Sequence, residues 1–499
     1  MVTSVILLCL GVVVLVLLLR SQRPKNFPPG PPVLPLLGSI LELALDNPLQ
    51  DFERLRKKYG NVYSLFLGTR PAVVISGLKN LKEALVTKGS DFSGRPQDMF
   101  VNDAIKTNGV IMQDYNLVWK EHRRFALTTM RNFGMGKTSM EDRIHGEIEY
   151  IVNTLEKNNG KTLSPHLMFH NAASNIICQV LFGTRYEYDD HFIREIVLFP
   201  WFVTCRCLLK MPLKMWRYDT FHLKLCVNLE NSMWKKVINA NLTASQTAEN
   251  LVKDLFVEHK KTRMSGDPRD FVDCYFDELD KVCTGKDRSS FSENMLTMYA
   301  LDLHFAGTDT TSNTLLTGFL YLMNYPHIQE RCHQEIDKVL QDNETVTYDA
   351  RNQMPYMQAV IHEVQRVANT VPLSVFHCTT KDTEFMGYSI PKGTLIIPHL
   401  ASVLKEEGQW KFPNEFNPDN FLNDDGEFVK PEAFMPFSTG PRVCLGEGLA
   451  RMELFLIIVT LLHKFQFIWP EDAGEPDYTP IFGATQTPKP YRMKIQLRK

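Results

Sequence analysis

Between Ser290 and Pro326 the chain reads SFSENMLTMYALDLHFAGTDTTSNTLLTGFLYLMNYP, its longest periodic segment and one without a proline before its end. Ser290 and Glu293 stand in the S-x-x-E spacing of a capping box at the start. Pro326 stops the pattern, because proline cannot continue a helix. A helix between these limits is about 50 Å long, against ~11–12 residues for an ordinary helix. A helix of that length crosses a whole domain, so the rest of the chain has to fold around it.

The flanking segments fit that frame. NPLQDFERLRKKYG reads as a helix with Asn47 as N-cap, Pro48 in the first turn and Gly60 as terminator. NVYSLFLG and RPAVVISG read as a strand pair, and EFMGYSIPKGTLIIPH as strands with a turn. YNLVWKEHRRFALTTMRNF is an amphipathic helix with a basic face. PHIQERCHQEIDKVLQ, YMQAVIHEVQRVA and LGEGLARMELFLIIVTLLHKF are further helices. Polar stretches near Met264–Asp270 and Thr284–Ser289 read as loops. The segment Phe192–Trp216 mixes aromatics, leucines and arginines; it fits a pocket wall and a membrane contact equally. The expectation is a mainly α chain with small β-sheets and one large domain over residues 36–499.

Met1–Leu19 carries no charge and spans about 28 Å as a helix, close to the ~30 Å of a bilayer core. Basic residues follow it (Arg20, Arg23, Lys25) and no small-residue cleavage site does. This favours a retained anchor over residues 1–20 rather than a cleaved signal, with the bulk of the chain cytosolic. PPGPP (Pro28–Pro32) then reads as a stiff spacer within a basic, proline-rich linker over 21–35. The remaining composition excludes more than it assigns. With 57 acidic and 55 basic side chains the net charge is −2, which gives no reason to expect nucleic acid. Ten dispersed cysteines make neither a disulfide framework nor a CxxC zinc pair.

Several short patterns fail on inspection. GMGKT (Gly134–Thr138) has Arg131 where a phosphate-binding loop needs glycine. HEVQR has Arg366 at the position of a zinc protease's second histidine. GEG at Gly446 has Arg451 where a dinucleotide fingerprint needs a small residue, and there is no GxSxG elbow.

FSTGPRVCLG, Phe437–Gly446, survives that screen. A thiolate is a soft, strong donor that holds haem iron and pushes electron density onto it. Phe437 can shield such a sulfur. Gly440 permits a tight turn and a close approach of the backbone to a flat cofactor. Arg442 offers a cation to a propionate, and the amides of Leu445 and Gly446, at a helix start, can donate to Cys444. FxxGxRxCxG resembles the haem-ligand loop of the cytochrome P-450 haem-thiolate monooxygenases. Its five fixed positions match by chance roughly once in 10⁴ sequences of this length.

Other motifs follow in that family's order. AGTDTT, Ala306–Thr311, lies midway along the long helix. An acid beside an alcohol is what proton delivery to bound dioxygen requires: Thr310 to hold and relay, Asp309 to supply. The small Ala306–Gly307 pair leaves room over the iron. Glu363 and Arg366 match the structural ExxR pair, and Asn420 stands where the family commonly carries Arg or His. WKEHR matches WxxxR, so the resemblance assigns Trp119 and Arg123 to a propionate. Arg95 in FSGRP and His377 in PLSVFH match the remaining propionate contacts.

The resemblance is nearest to the microsomal family-2 branch of vertebrates. It implies haem b (iron protoporphyrin IX) and an anchor in the endoplasmic reticulum membrane with the catalytic domain on its cytosolic side. It implies electrons from NADPH through NADPH-cytochrome P-450 reductase, with cytochrome b5 as an optional second donor. It also implies lipophilic substrates: xenobiotics, fatty acids or steroids. By the same resemblance Met112, Ala306, Val371, Val375 and Phe482 line the substrate pocket. Asp302, one turn before Ala306 on the same face, reads as a buried structural acid ahead of a clamp for cationic substrates. Two rival functions stay open at this point: a haem-thiolate isomerase or dehydratase needing no reductase, and a non-catalytic lipid or haem carrier. Lys120 and Arg124, with Arg131 and Lys137 downstream, form a candidate basic patch for an acidic reductase surface.

Overall fold

The computed structural model describes residues 23–498 except 36, 45–46, 100–101, 103–105, 133–137, 202–232, 284–289 and 342–344. Met1–Leu19, Lys137, the 284–289 stretch and the 202–216 half of the aromatic segment lie outside the described residues. Among the described residues no helix is long and apolar enough to cross a membrane.

The first half of the chain contributes helices α1 (Leu49–Tyr59), α2 (Leu117–Asn132), α3 (Thr138–Lys157), α4 (His166–Phe182) and α5 (His191–Trp201). The second contributes α6 (Met233–Thr262), α7 (Phe271–Cys283), α8 (Glu293–Asn324), α9 (Pro326–Leu340), α10 (Pro355–Ala368) and α11 (Glu447–Lys464). Strands β1 (Val62–Leu67), β2 (Arg70–Ser76), β3 (His377–Cys378) and β4 (Leu395–His399) form one sheet in the order β1-β2-β4-β3. β2 and β4 run parallel and the other two pairings are antiparallel. A hairpin of β5 (Ile481–Phe482) and β6 (Gln486–Thr487) stands apart from it.

Local signals mark the ends of α1, but its start is one residue later than the sequence implied, with Pro48 rather than Asn47 at the N-cap. The Leu49 N–H donates to Asn47 Oδ1 at 3.1 Å, and Gly60 closes the helix at φ 95°. The start of α8 differs from the sequence expectation by two residues. Ser292, not Ser290, is the N-cap, with its hydroxyl accepting from the Met295 N–H at 3.3 Å. Burial of Phe291 decides this: its ring stacks on His122 at 4.3 Å. Ser290 is thereby drawn toward α2, where its hydroxyl donates to Glu121 Oε2 at 2.6 Å.

α8 is 32 residues long and buried on nearly every side. α4 lies along it, itself buried almost all round, which is why its sequence lacks a one-sided apolar stripe. The contact is close because Gly307 has no side chain: a Cβ there would sit 3.2 Å from Ile177 Cγ1. Gly307 therefore serves helix packing as well as room in the cavity. Ser174 and the His304 ring bridge the two helices at 2.8 Å, and burial lowers the His304 pKa to about 3, so the bridge uses the neutral ring. In the main sheet Tyr63, Leu65 and Leu67 join one apolar cluster while Val62 and Phe66 join the main core. That is the period-2 alternation of a strand buried on both faces.

The proline-rich segment is docked and is no free spacer. The Ser64 hydroxyl and N–H donate to the Pro28 and Pro29 carbonyls at 2.7 Å each, and Phe27 packs on Phe66. Prolines lack N–H groups but still offer carbonyls, and β1 takes those of Pro28 and Pro29 up.

Arg366 and Glu363 are 1% and 0% exposed at their side chains, and they pair through two hydrogen bonds of 2.7 Å. Arg366 also donates to the carbonyls of Leu404, Pro413 and Glu415. Glu363 accepts from the Asn417 N–H at 2.8 Å and from Asn420 Nδ2 at 3.2 and 3.3 Å. The amide at 420 thus completes the network without a third charge. Arg366→Ala leaves a buried carboxylate unpaired, and the expected loss is about 3–5 kcal/mol in denaturant unfolding. Arg366→Lys cannot reproduce the planar fork and should recover only part of that loss. An Arg366→Ala loss no larger than that of a surface pair, about 1 kcal/mol or less, would contradict the structural role.

Candidate functional site

A cavity of ≈ 450 Å³ lies under the middle of α8. Trp119 and Arg123 of α2, Ile177 of α4, Ala306, Gly307 and Thr310 of α8, and Phe437, Arg442, Cys444 and Gly446 all line it. So do Arg95, Met112, Val371, Val375 and Phe482. Residues drawn from positions 95 to 482 thus converge on one space. Asp309, His377, Gly440, Glu363 and Arg366 do not line it.

The cysteine loop closes on itself, with the Cys444 N–H donating to the Phe437 carbonyl at 3.0 Å. Gly440 adopts φ 77°, and a Cβ there would lie 1.7 Å from the Leu85 carbonyl oxygen. The close approach that needs this glycine is thus to protein backbone, not to a flat cofactor. Gly446 has nothing within 4 Å of a Cβ position and borders the open cavity. Cys444 is exposed only in the sense that it faces this cavity; protein encloses the rest of the residue. Burial accordingly raises its thiol pKa, opposed first by the Gly446 N–H and then by Arg123 and the Glu447 N–H. The donating amides are those of Gly446 and Glu447, one register later than the sequence implied, because α11 starts at Glu447. A thiol held up in this way is a poor free nucleophile, and metal coordination is what ionises it.

The cationic residues gather on one side of the cavity. Arg95 donates to the carbonyls of Ile111, Val375 and Phe376. Arg442 donates to those of Ser93 and Gln113 at 3.0 and 2.7 Å, and Arg123 to that of Val443. Trp119 Nε1 donates to the Val110 carbonyl at 3.1 Å, so in this arrangement its N–H is engaged by protein. Arg442 Nη1 and the buried His377 Nε2 have no hydrogen-bond partner among the described residues. Burial lowers the pKa of Arg442 to about 10 and that of Arg95 well below its ordinary value, and positive neighbours push the same way. His377 sits beside the wall, with its other nitrogen 2.6 Å from the Phe92 carbonyl, and its pKa is lowered by burial, Arg95 and Arg442. Buried cations that repel one another and keep an unused donor on Arg442 fit an anionic ligand, as a haem with two propionates would be. The thiol, the donors and the apolar walls together fit the haem that the resemblance implies.

Thr310 lines the cavity, and its hydroxyl donates back to the Ala306 carbonyl at 2.6 Å. Asp309 points elsewhere: its Oδ2 accepts from the Thr485 hydroxyl and its Oδ1 lies 3.8 Å from His170 Nε2. The expected acid–alcohol pair is adjacent in sequence but is not hydrogen-bonded to each other. Thr485, Leu373 and Glu453 also line the cavity, and none was marked by the sequence. Thr485 lies in a short hairpin whose only signal is a turn, and its meeting with Asp309 across 176 positions is purely tertiary.

Asp302 is 2% exposed, and its Oδ2 accepts from the Ile111 N–H at 2.8 Å. It ties the 109–111 backbone to α8, as a structural acid would. Gly109 permits this, since a Cβ there would lie 2.1 Å from Asp302 Oδ2.

A family model described as "Cytochrome P450" matches residues 28–495. The chain is 41% identical over 461 residues to Cytochrome P450 2J2 of Homo sapiens, covering 91% of this chain and 88% of that protein. It is 39% identical over 500 residues to Cytochrome P450 2B4 of Oryctolagus cuniculus, covering 99% of each. Cytochrome P450 2B2 of Rattus norvegicus shows the same identity and coverage.

Burial raises the Asp302 pKa to about 7, against the Ile111 and Val110 N–H groups, which lower it. A carboxyl raised in the fold contributes stability while protonated, below its unfolded value of about 3.9. That contribution is lost as pH rises through about 7. Asp302→Asn removes the titration, so its melting temperature relative to wild type should rise from about pH 4 to about pH 8. A gap that stays constant over this range would contradict the burial argument.

Proposed function

This chain belongs to the cytochrome P450 family and is a P450 monooxygenase, and from that premise we propose that it holds haem b through Cys444 and oxidises lipophilic substrates with electrons from NADPH. The observation that carries the site assignment is that the Cys444 thiol and the unused Arg442 Nη1 donor belong to residues lining one cavity, with the unpartnered His377 Nε2 beside its wall. When bound, the haem iron supplies oxygen activation, in which one atom of O2 enters a C–H bond or alkene and the other leaves as water.

The chain's own residues do the rest. Arg95, Arg123, Arg442 and His377 hold the propionates, and Trp119 joins them once its N–H leaves Val110. The N–H groups of Gly446 and Glu447 stabilise negative charge on sulfur at the head of α11. Met112, Ala306, Val371, Val375 and Phe482 give the substrate an apolar wall, which fits xenobiotics, fatty acids or steroids. Thr310 offers its hydroxyl oxygen to the cavity, and Asp309 is the acid that supplies protons. Residues 1–20 anchor the enzyme to the endoplasmic reticulum membrane, 21–35 lead from it with Phe27–Pro29 docked on β1, and 36–499 form the rest of the catalytic domain on the cytosolic side.

Cys444→His should lose the thiolate-type absorption band of the reduced carbonyl complex, while Cys178→Ser should keep it. An unchanged band in Cys444→His would overturn the ligand assignment.

We assign NADPH-cytochrome P-450 reductase, with cytochrome b5 as a second donor, to the basic face of α2. Lys120, Arg124 and Arg131 are exposed there, with the Lys120 ammonium 4.4 Å from the Tyr115 ring. Lys120→Glu with Arg124→Glu should slow reductase-supported turnover roughly tenfold at low salt. The gap should narrow as ionic strength rises. Peroxide-driven turnover needs no reductase and should be unchanged; equal loss in both assays would place the damage in the haem site.

A further inference from the structure

Asp309 is 6% exposed and absent from the cavity wall, whereas Thr485, which donates to its Oδ2, lines that wall. Asn313, one turn further along α8, places Nδ2 3.4 Å from the same Thr485 oxygen. Two successive turns of α8 therefore hold one hydroxyl at the cavity edge. On the other side of the acid, His170 Nδ1 is 2.8 Å from the His166 carbonyl, which fixes the proton on Nδ1 and leaves Nε2 facing Asp309. The His170 side chain keeps 20% exposure against 8% for that of Asp309. Thr310 commits its proton to the Ala306 carbonyl, while the side-chain partners of the acid are Thr485 and His170.

We propose that His170, Asp309 and Thr485 form the proton path from solvent to the cavity, with Thr485 as the hydroxyl that passes the proton in. The proposal rests on the monooxygenase reading and refines which alcohol works with the acid. Once Asp309 is protonated, the Thr485 hydroxyl turns its O–H from Oδ2 toward the cavity; the Asp309 O–H then gives its proton to Thr485 Oγ1 as Thr485 releases its own proton to water or another acceptor in the cavity. The carboxylate then takes the Nε2 proton of the His170 imidazolium, and a hydronium ion or buffer acid from solvent reprotonates the ring at Nε2. Each transfer breaks one O–H or N–H bond and forms one, with no change of oxidation state. The 3.8 Å gap is longer than a hydrogen bond, and a small ring rotation closes it. Among the described residues, His166, one turn away on α4, and Asp309 on α8 face His170.

The test uses the full-length enzyme with reductase, in H2O and D2O, and measures product formed per NADPH. Thr485→Val should lower that ratio about tenfold and enlarge the solvent isotope effect. Thr485→Ser should stay within about twofold of wild type, and His170→Phe should show a smaller loss with the same isotope signature. A second readout is independent of turnover. Isotope-edited infrared spectroscopy should show the Asp309 carboxylate band shifted by Thr485→Val and unmoved by Thr310→Ala. Wild-type coupling and isotope effect in both Thr485→Val and His170→Phe would overturn the path, as would a carboxylate band that responds only to Thr310→Ala. A wild-type enzyme that makes no product from NADPH would instead overturn the monooxygenase reading, and the infrared comparison would still stand by itself.

Discussion

A guanidinium buried as completely as that of Arg366 must have every donor answered, and here the answers come from the 404–415 backbone and from Glu363. Meeting that requirement pins an irregular stretch of chain that no helix or sheet would otherwise hold. One residue earlier on α10 than Glu363, His362 extends the same support. Its ring packs against Phe421, Phe428 and Phe434, and its Nε2 is 2.7 Å from Arg451 Nη1 on α11. Burial and the Arg451 charge lower its pKa to about 3, so it accepts from Arg451 as a neutral ring. The chain that leads into the cysteine loop is thereby fastened to α10, and α10 to α11.

The cationic side of the cavity obeys the opposite logic. Arg95, Arg123 and Arg442 are held by backbone carbonyls, which orient a guanidinium without neutralising it. Asp114 is the carboxylate that offsets Arg442 most. Positive charge without full compensation is unfavourable in the fold alone and favourable once an anion is bound, the pattern of a binding site. The ExxR network is compensated within the protein, which marks it as scaffold.

α8 serves both purposes at once. At Gly307 and Gly318 it gives up side chains so that Ile177 and Val364 can approach. Between those contacts it sends Thr310 to the cavity and Asp309 to its flank. Consecutive residues on a helix are about 100° apart, so a hydroxyl and a carboxyl adjacent in sequence necessarily face different surroundings. The acid then finds its partners on the two elements that reach that flank, α4 and the β5–β6 hairpin.

Much of this was legible in the linear chain because the relevant physics is local. Helix periodicity, the Asn47 and Gly60 signals at the ends of α1, the strand pair and the glycine-flanked cysteine each depend on residues within a few positions. Their spacing, with the motif order, pointed to the family and to a cavity that the fold does assemble. Where burial competes with a local rule, the chain alone misled: Phe291 moved the cap of α8 from Ser290 to Ser292, and Ser64 turned a proline spacer into a docked segment. Which amides face the Cys444 sulfur depended on where α11 begins. Which hydroxyl answers Asp309 depended on bringing residue 485 to residue 309. A side chain's distant partners follow from how packed helices are rotated against one another, and that rotation is set by the whole core at once.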